Sequence, residues 1–248
     1  MAGTTVEQAL KATQETNALG MSVSLDNLGE NVTNAHEAQH SALLYHELLD
    51  QISERRLDAN VSLKLTHMGL DVDQKLATDI VSSLVEHARH KQNFVRVDME
   101  GSPYTQRTLD LVQSIHSQNG NRGKVGAVIQ AYLRRSEEDV RKLVSQGIRI
   151  RLCKGAYKEP AEIAFPEKSD VDANYVQLMR ILLKSGIYHG IATHDERMIE
   201  ATIRFAQAED ILASAFEFQM LYGIRRDLQR ELVKQGWRMR VYIPFGTE

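Results

Sequence analysis

Arg149 and Arg151 alternate with Ile148, Ile150 and Leu152, and Lys154 and Gly155 follow at once. Strand side chains point to opposite faces with period two, so the aliphatic residues share one face and both guanidinium groups the other. A guanidinium is costly to bury unless an anion meets it. Lys154 adds a third cation at the strand's C-terminal end, and Gly155 lets backbone approach a ligand closely. The stretch reads as a holder for something negative. The same polar parity recurs in other strand-like runs: Ser22, Ser24 and Asp26; Ser62 and Lys64; Arg96 and Asp98; Gln130; Glu217 and Gln219; Arg238, Arg240 and Tyr242. If all these faces turn inward, six cations meet three carboxylates. That surplus predicts a phosphate or carboxylate ligand at the C-terminal mouth of a barrel.

In an α/β barrel the chemistry sits at the C-terminal strand ends. There the candidates are Lys64, Asp98, Gln130, Arg151, Lys154, Thr193, His194, Gln219 and Tyr242. Lys64 and Asp98, on neighbouring strands, are positioned to pair and hold each other charged. Thr193 and His194 could donate to phosphate or to a ring carbonyl, although a solvated loop histidine explains the spacing as well. Arg96, Arg149, Arg238 and Glu217 read as structural ion pairs low in the barrel or as outward-facing residues. Cys153 has no assigned base and reads as a small buried residue rather than a nucleophile. His36-Glu37-Ala38-Gln39-His40 matches the zinc-hydrolase pattern H-E-x-x-H, but it has no third ligand at a suitable spacing and reads as a chance match on a solvated helix.

The elements that must position these residues alternate throughout. Thr4 with Glu7 suggests a capping box opening a helix that ends near Gly20. Strands are expected at 21–25, 61–65, 94–98, 125–129, 148–152, 187–192, 215–219 and 237–243. Helices are expected at 34–56, 72–90, 105–118, 136–145, 172–184, 196–207 and 225–235. Eight strands separated by seven helices predict a parallel (βα)8 barrel of the TIM type, with residues 1–20 as an extra N-terminal helix and residues 21–248 as the barrel. The helix after the eighth strand is absent from this sequence. No G-x-G-x-x-G follows the first strand, so an open dinucleotide-binding sheet has no support.

The 248 residues carry a formal net charge of -3 with 25% charged and 42% apolar residues, so no polyanion such as nucleic acid is implied as partner. A single cysteine suits a reducing compartment. No apolar run reaches membrane-spanning length, which leads us to expect a cytoplasmic protein, peripheral to a membrane at most. Oligomeric state is not legible.

Seven blocks together resemble the proline dehydrogenase family, the flavin-dependent barrels that also form the proline-oxidising domain of bifunctional proline-catabolic enzymes. They are Val61–Thr66, Arg96–Glu100, Val128–Leu133, Arg151–Tyr157, Ala192–Asp195, Phe216–Gly223 and Tyr242–Gly246, in the family's order across nearly the whole chain. The resemblance implies FAD held by Met99, Gln130, Arg151, Lys154, Gly155, Ala156, Thr193, His194 and Gln219. It implies a proline pocket lined by Lys64, Asp98, Ala156, Tyr157, Leu221 and Tyr242, where the aromatic ring of Tyr242 fills the space a hydroxylated substrate would need. Hydride would pass from proline C5 to flavin N5 beside Arg151, giving 1-pyrroline-5-carboxylate, and electrons would go on to a quinone at a membrane surface. Asp98 would set local charge. Lys158 stands where the bifunctional enzymes often carry tryptophan, so the chain looks closer to the stand-alone bacterial type.

Family members continue into a final helix with two arginines that clamp the proline carboxylate, whereas this sequence ends at Gly246-Thr247-Glu248. The expectation on that basis is FAD binding with poor proline turnover, and rapid flavin bleaching at low proline would contradict it. Alternative readings are another flavin barrel of the methylenetetrahydrofolate reductase type, or a non-catalytic barrel that stays colourless with FAD.

Overall fold

β-Branched and aromatic residues on one parity of each strand pack outward: Val23 and Leu25, Val61 and Leu63, Val95 and Val97, Ile150 and Leu152, and Phe216 and Phe218 are all buried. Against them lie the apolar stripes of amphipathic helices, the arrangement that covers the outer face of a parallel barrel. The computed structural model describes residues 1–29 and 32–247. Its strands are β1 (Ser22–Asn27), β2 (Ala59–Leu63), β3 (Val95–Val97), β4 (Val125–Gln130), β5 (Arg149–Cys153), β6 (His189–Ala192), β7 (Phe216–Leu221) and β8 (Met239–Phe245). They pair in parallel and in sequence order, and β8 closes on β1. The helices are α1 (Val6–Asn17), α2 (Ala35–Glu54), α3 (Gln74–His90), α4 (Ser102–Ser117), α5 (Ser136–Ser145), α6 (Lys168–Lys184), α7 (Glu196–Ala208) and α8 (Arg226–Lys234).

The barrel expected from the alternation is therefore present, with element ends shifted by a few residues. The helix ring is complete in an unexpected way, because α1 packs on β1 and β8 and fills the outer position between α2 and α8. Its start is tied to the end of β8 by Ala2 N donating to Pro244 O and Gly246 N donating to Gly3 O, both at 3.1 Å. The capping box is one residue later than expected. Thr5 Oγ1 accepts from Gln8 N while Gln8 Oε1 accepts from Thr5 N, and Glu7 instead binds Arg55 at 2.7 Å. The Gln8 amide oxygen also accepts from Thr4 N.

Two histidines anchor strand ends from inside the fold. His189 Nδ1 accepts from Ile150 N, so its proton sits on Nε2, 3.0 Å from Ser185 Oγ. His67 bonds Ser41 Oγ at 2.8 Å. Burial drives His67 down to about 4 and His189 to about 3. Because the folded value lies below the ordinary value of about 6.5, only the unfolded chain takes up these protons between the two. Stability is thus full at neutral pH and falls as pH drops from about 6.5 towards 4, by about 1.4 kcal/mol per pH unit for each histidine. Denaturation midpoints measured at pH 7 and pH 4.5 check this, and His189→Gln is expected to flatten the slope.

Candidate active site

Strand parity brings Ser24, Ser62, Arg151 and Gln219 from four strands to one level inside the barrel. The Arg151 side chain donates from Nε to Gln219 Oε1 at 2.5 Å, from Nη1 to Asp98 Oδ1 at 2.6 Å, and from Nη2 to Ser62 Oγ at 3.0 Å and Ser24 Oγ at 3.3 Å. A guanidinium has five N–H donors, so one on Nη1 has no acceptor among the described residues. Arg151 is 6% exposed, and its guanidinium lies 5.1 Å from the Tyr242 ring centre. The Tyr242 hydroxyl donates to Asp98 Oδ2 at 2.7 Å. Burial and the neighbouring Asp98 push that hydroxyl far above its ordinary value, so it stays protonated and holds the carboxylate from the side opposite Arg151. The amide of Gln219 is oriented from below, where its Nε2 donates to Glu217 Oε1 at 2.7 Å.

The pairing expected between Lys64 and Asp98 does not form. Lys64 Nζ contacts Asp26 Oδ2 at 3.2 Å, because Asp98 is already occupied by the cross-barrel Arg151 and by Tyr242. Burial, opposed by Lys64, raises Asp26, and Tyr45 Oη lies 3.3 Å from Asp26 Oδ1. Lys154 is also paired: its ammonium meets Asp172 and, at 2.7 Å, Asp195. Lys154 and then Arg197 hold Asp195 far below the ordinary carboxylate range, against the effect of burial. Every strand-end cation therefore has a carboxylate, so the expected surplus of positive charge is not at this mouth. The sequence count missed it because Asp172 and Asp195 are presented by helices, the first from within α6 and the second as the N-cap of α7.

Above this floor lies a cavity of about 540 Å³. It gathers every site residue expected from the sequence: Lys64, Asp98, Met99, Gln130, Arg151, Lys154, Gly155, Ala156, Tyr157, Thr193, His194, Gln219, Leu221 and Tyr242. Val128, Cys153, Ala192, Asp195 and Met220 complete the wall and were not anticipated as lining; as strand-end neighbours of the others, they were findable from the barrel register. His194 Nε2 accepts from Leu221 N at 3.0 Å, so the neutral ring carries its proton on Nδ1 and is a donor with a fixed tautomer. Burial, then Arg225, lowers its value and keeps it neutral. Thr193 Oγ1 accepts from Asp195 N, and Gln130 Nε2 donates to Glu100 O, which leaves the Gln130 carbonyl as the free acceptor end. Gly155 has φ +112, and a Cβ there would stand 2.2 Å from the Tyr132 ring, so the turn after β5 admits only glycine. Beyond it, Glu159 caps α4 by accepting from Ser102 N at 2.7 Å and Ser102 Oγ at 2.6 Å.

Low in the barrel, Glu217 accepts from Arg240 Nε at 2.6 Å and Tyr188 Oη at 2.8 Å. Arg96 donates to backbone carbonyls, and Arg149 and Arg238 stand against aromatic rings. Of the four residues expected to form structural ion pairs there or to face outward, Glu217 is ion-paired and Arg238 is exposed, while Arg96 and Arg149 have no ion pair among the described residues.

Burial pushes the Cys153 thiol up to about 12. Since the thiolate is the reactive form, alkylation at pH 8 is expected to be slower than in the unfolded chain by about 10²–10³. Timed labelling with and without denaturant measures the ratio. In the H-E-x-x-H segment His36 and His40 are exposed, and the Glu37 carboxylate accepts from Thr33 N at 2.7 Å, capping α2.

A closed parallel barrel with a cavity of paired charges at its C-terminal strand ends places the chain among the α/β-barrel enzymes. The profile of the proline dehydrogenase family matches residues 9–248. Proline dehydrogenase 1 of Bacillus subtilis subsp. natto is 40% identical over 248 residues, covering 100% of this chain and 81% of that one. Proline dehydrogenase of Deinococcus radiodurans is 38% identical over 251 residues, with the same coverage of 100% and 81%. Among solved structures, proline utilization A from Bdellovibrio bacteriovorus, inactivated by N-propargylglycine, superposes with a TM-score of 0.93 at 28% identity, and the match spans 100% of this chain but 30% of that longer one. The chain belongs to the proline dehydrogenase family. Among the described residues, no helix is long and apolar enough to cross a membrane.

Proposed function

We propose that this chain oxidises L-proline to 1-pyrroline-5-carboxylate in proline catabolism, with FAD held in the cavity at the barrel mouth and a quinone as final electron acceptor. The observation that carries the reading is Arg151, a buried guanidinium locked by four acceptors on the cavity floor with one N–H to spare. The residues suit a flavin on two further counts. Gly155, packed against the Tyr132 ring where no Cβ would fit, presents bare backbone to the cavity, and His194 Nδ1–H and the Gln130 carbonyl supply a donor and an acceptor of fixed sense.

FAD, when bound, supplies the hydride acceptor. Met99, Gln130, Lys154, Gly155, Ala156, Thr193, His194 and Gln219 would hold it, and the spare Arg151 N–H would offer it a cationic hydrogen-bond donor. Lys64, Ala156, Tyr157, Leu221 and Tyr242 bind proline, and Asp98 fixes the charge and orientation of both Arg151 and Tyr242. Positioning is then the protein's main contribution to the rate. Tyr157 and Leu221 are 42% and 45% exposed, an apolar lip suited to brief contact with a lipid-soluble acceptor at a membrane surface. The barrel of residues 21–248 with its preceding helix acts as one catalytic unit.

Reconstitution with FAD followed by anaerobic addition of proline tests this. A yellow protein bleached by proline is expected; a protein that stays colourless, or a yellow one that proline leaves oxidised, would sink the reading.

A further inference from the structure

The positive charge absent from the C-terminal mouth lies at the other end of the barrel. Arg96, 5% exposed, donates only to the carbonyls of Ala127 at 3.0 Å and Arg149 at 2.8 Å. The Arg149 guanidinium stands 5.1 Å from the Phe94 ring centre and 4.9 Å from that of Tyr188, with no carboxylate contact among the described residues. Arg238 sits 5.5 Å from the same Tyr188 ring, also without an ion pair among the described residues. Arg240 alone is paired, with Glu217 at 2.6 Å. Asp58, at the rim, accepts from Ser22 Oγ. Four guanidinium groups thus face two carboxylates, Glu217 and Asp58, and Arg96 and Arg149 are held in surroundings that penalise their charge.

Two cavities of about 460 and 500 Å³ open at this end and share Arg149, Arg240 and Asp58 as walls. Arg238 lines one, and Lys91 and Lys124 line the other. We infer that the N-terminal mouth of the barrel is a binding site for a doubly charged phosphate group, free or as a phosphomonoester, between Arg149, Arg238 and Arg240. A dianion balances the net excess of two positive charges that these four arginines hold over Glu217 and Asp58, which a single carboxylate would not. The planar fork of arginine suits two oxygens of one phosphate, and Lys124 at the rim adds attraction at longer range, Lys91 being paired with Asp50. Both cavities exceed the volume of one phosphate and leave room for the organic part of an ester. The site is separate from the proposed flavin cavity and does not depend on that reading.

The test uses the FAD-loaded enzyme, with melting temperature and calorimetric titration against inorganic phosphate, glycerol phosphate and, at matched ionic strength, chloride. A saturable rise in melting temperature with phosphate but not chloride is expected. Tighter binding of glycerol phosphate than of phosphate identifies an ester as ligand; equal or weaker binding identifies the free ion. Arg238→Gln and Arg149→Met should each weaken phosphate binding at least tenfold while proline oxidation stays within twofold. Arg238 is exposed, so its substitution tests the site even if Arg149→Met misfolds. An equal response to chloride, or wild-type phosphate affinity in Arg238→Gln, would overturn the proposal.

Discussion

Arg151→Met is expected to lower kcat/KM for proline oxidation by about 10²–10³ and to cost about 3–5 kcal/mol of stability. Two different losses are involved. The activity loss follows from removing a buried cation on the cavity floor that still has an N–H to offer a ligand. The stability loss follows from what stays behind: Asp98, 8% exposed, keeps Tyr242 as its one side-chain donor among the described residues and becomes a buried anion without its cation. Arg151→Lys separates the two. A lysine retains the charge near Asp98 but cannot span Gln219, Asp98 and both serines, since its ammonium is a point donor rather than a planar fork. The lysine variant should therefore recover most of the stability and little of the activity. Steady-state kinetics with chemical denaturation of both variants reads the split, and parallel recovery of both quantities would show that Arg151 matters only as a structural ion pair.

That arginine also marks the limit of what strand patterning discloses. Its inward direction was legible, because alternation with Ile150 and Leu152 allows no other. Its partner was not. Sequence order pairs β2 with β3, and the register opposing Ser62 and Arg96 brings Lys64 alongside Asp98, so their mutual pairing was the local expectation. Closure of the sheet adds contacts that no pair of adjacent strands contains: Arg151 of β5 reaches Ser24 of β1 and Asp98 beyond the end of β3. Lys64 then turns to Asp26 on its other side. The charge count failed at the mouth for a related reason. It took in strand residues only, while the acids that neutralise Lys154 are presented by helices, Asp195 as an N-cap, where a carboxylate is also favoured by the backbone N–H groups. The residues that the resemblance implies all line one cavity, because the resemblance carries information about the closed barrel that periodicity lacks.

Glu217→Ala should be the most destabilising single substitution low in the barrel, at about 3–5 kcal/mol, the range for removing one partner of a buried ion pair. The carboxylate is 4% exposed and accepts from Arg240, Tyr188 and Gln219, and those hydrogen bonds and the Arg240 charge keep it below its ordinary range despite burial. Its removal leaves Arg240 unmatched beside Arg96 and Arg149, in a region already short of negative charge. It also frees the Gln219 amide to turn, and with it the acceptor that holds Arg151 Nε, so a loss of activity far from the cavity floor is expected too. Glu217→Gln retains an acceptor oxygen and should lose less stability than alanine. Because the folded value is depressed, the wild-type contribution is present above the ordinary carboxylate range and disappears as pH falls through the folded value, whereas Glu217→Ala has none to lose there. A double-mutant cycle with Arg151→Met should be strongly non-additive, since both changes break the Glu217–Gln219–Arg151 chain. Additive effects would mean that Gln219 is held by its packing against Gly190, where even a Cβ would stand 2.3 Å from its amide nitrogen, and not by the carboxylate below it.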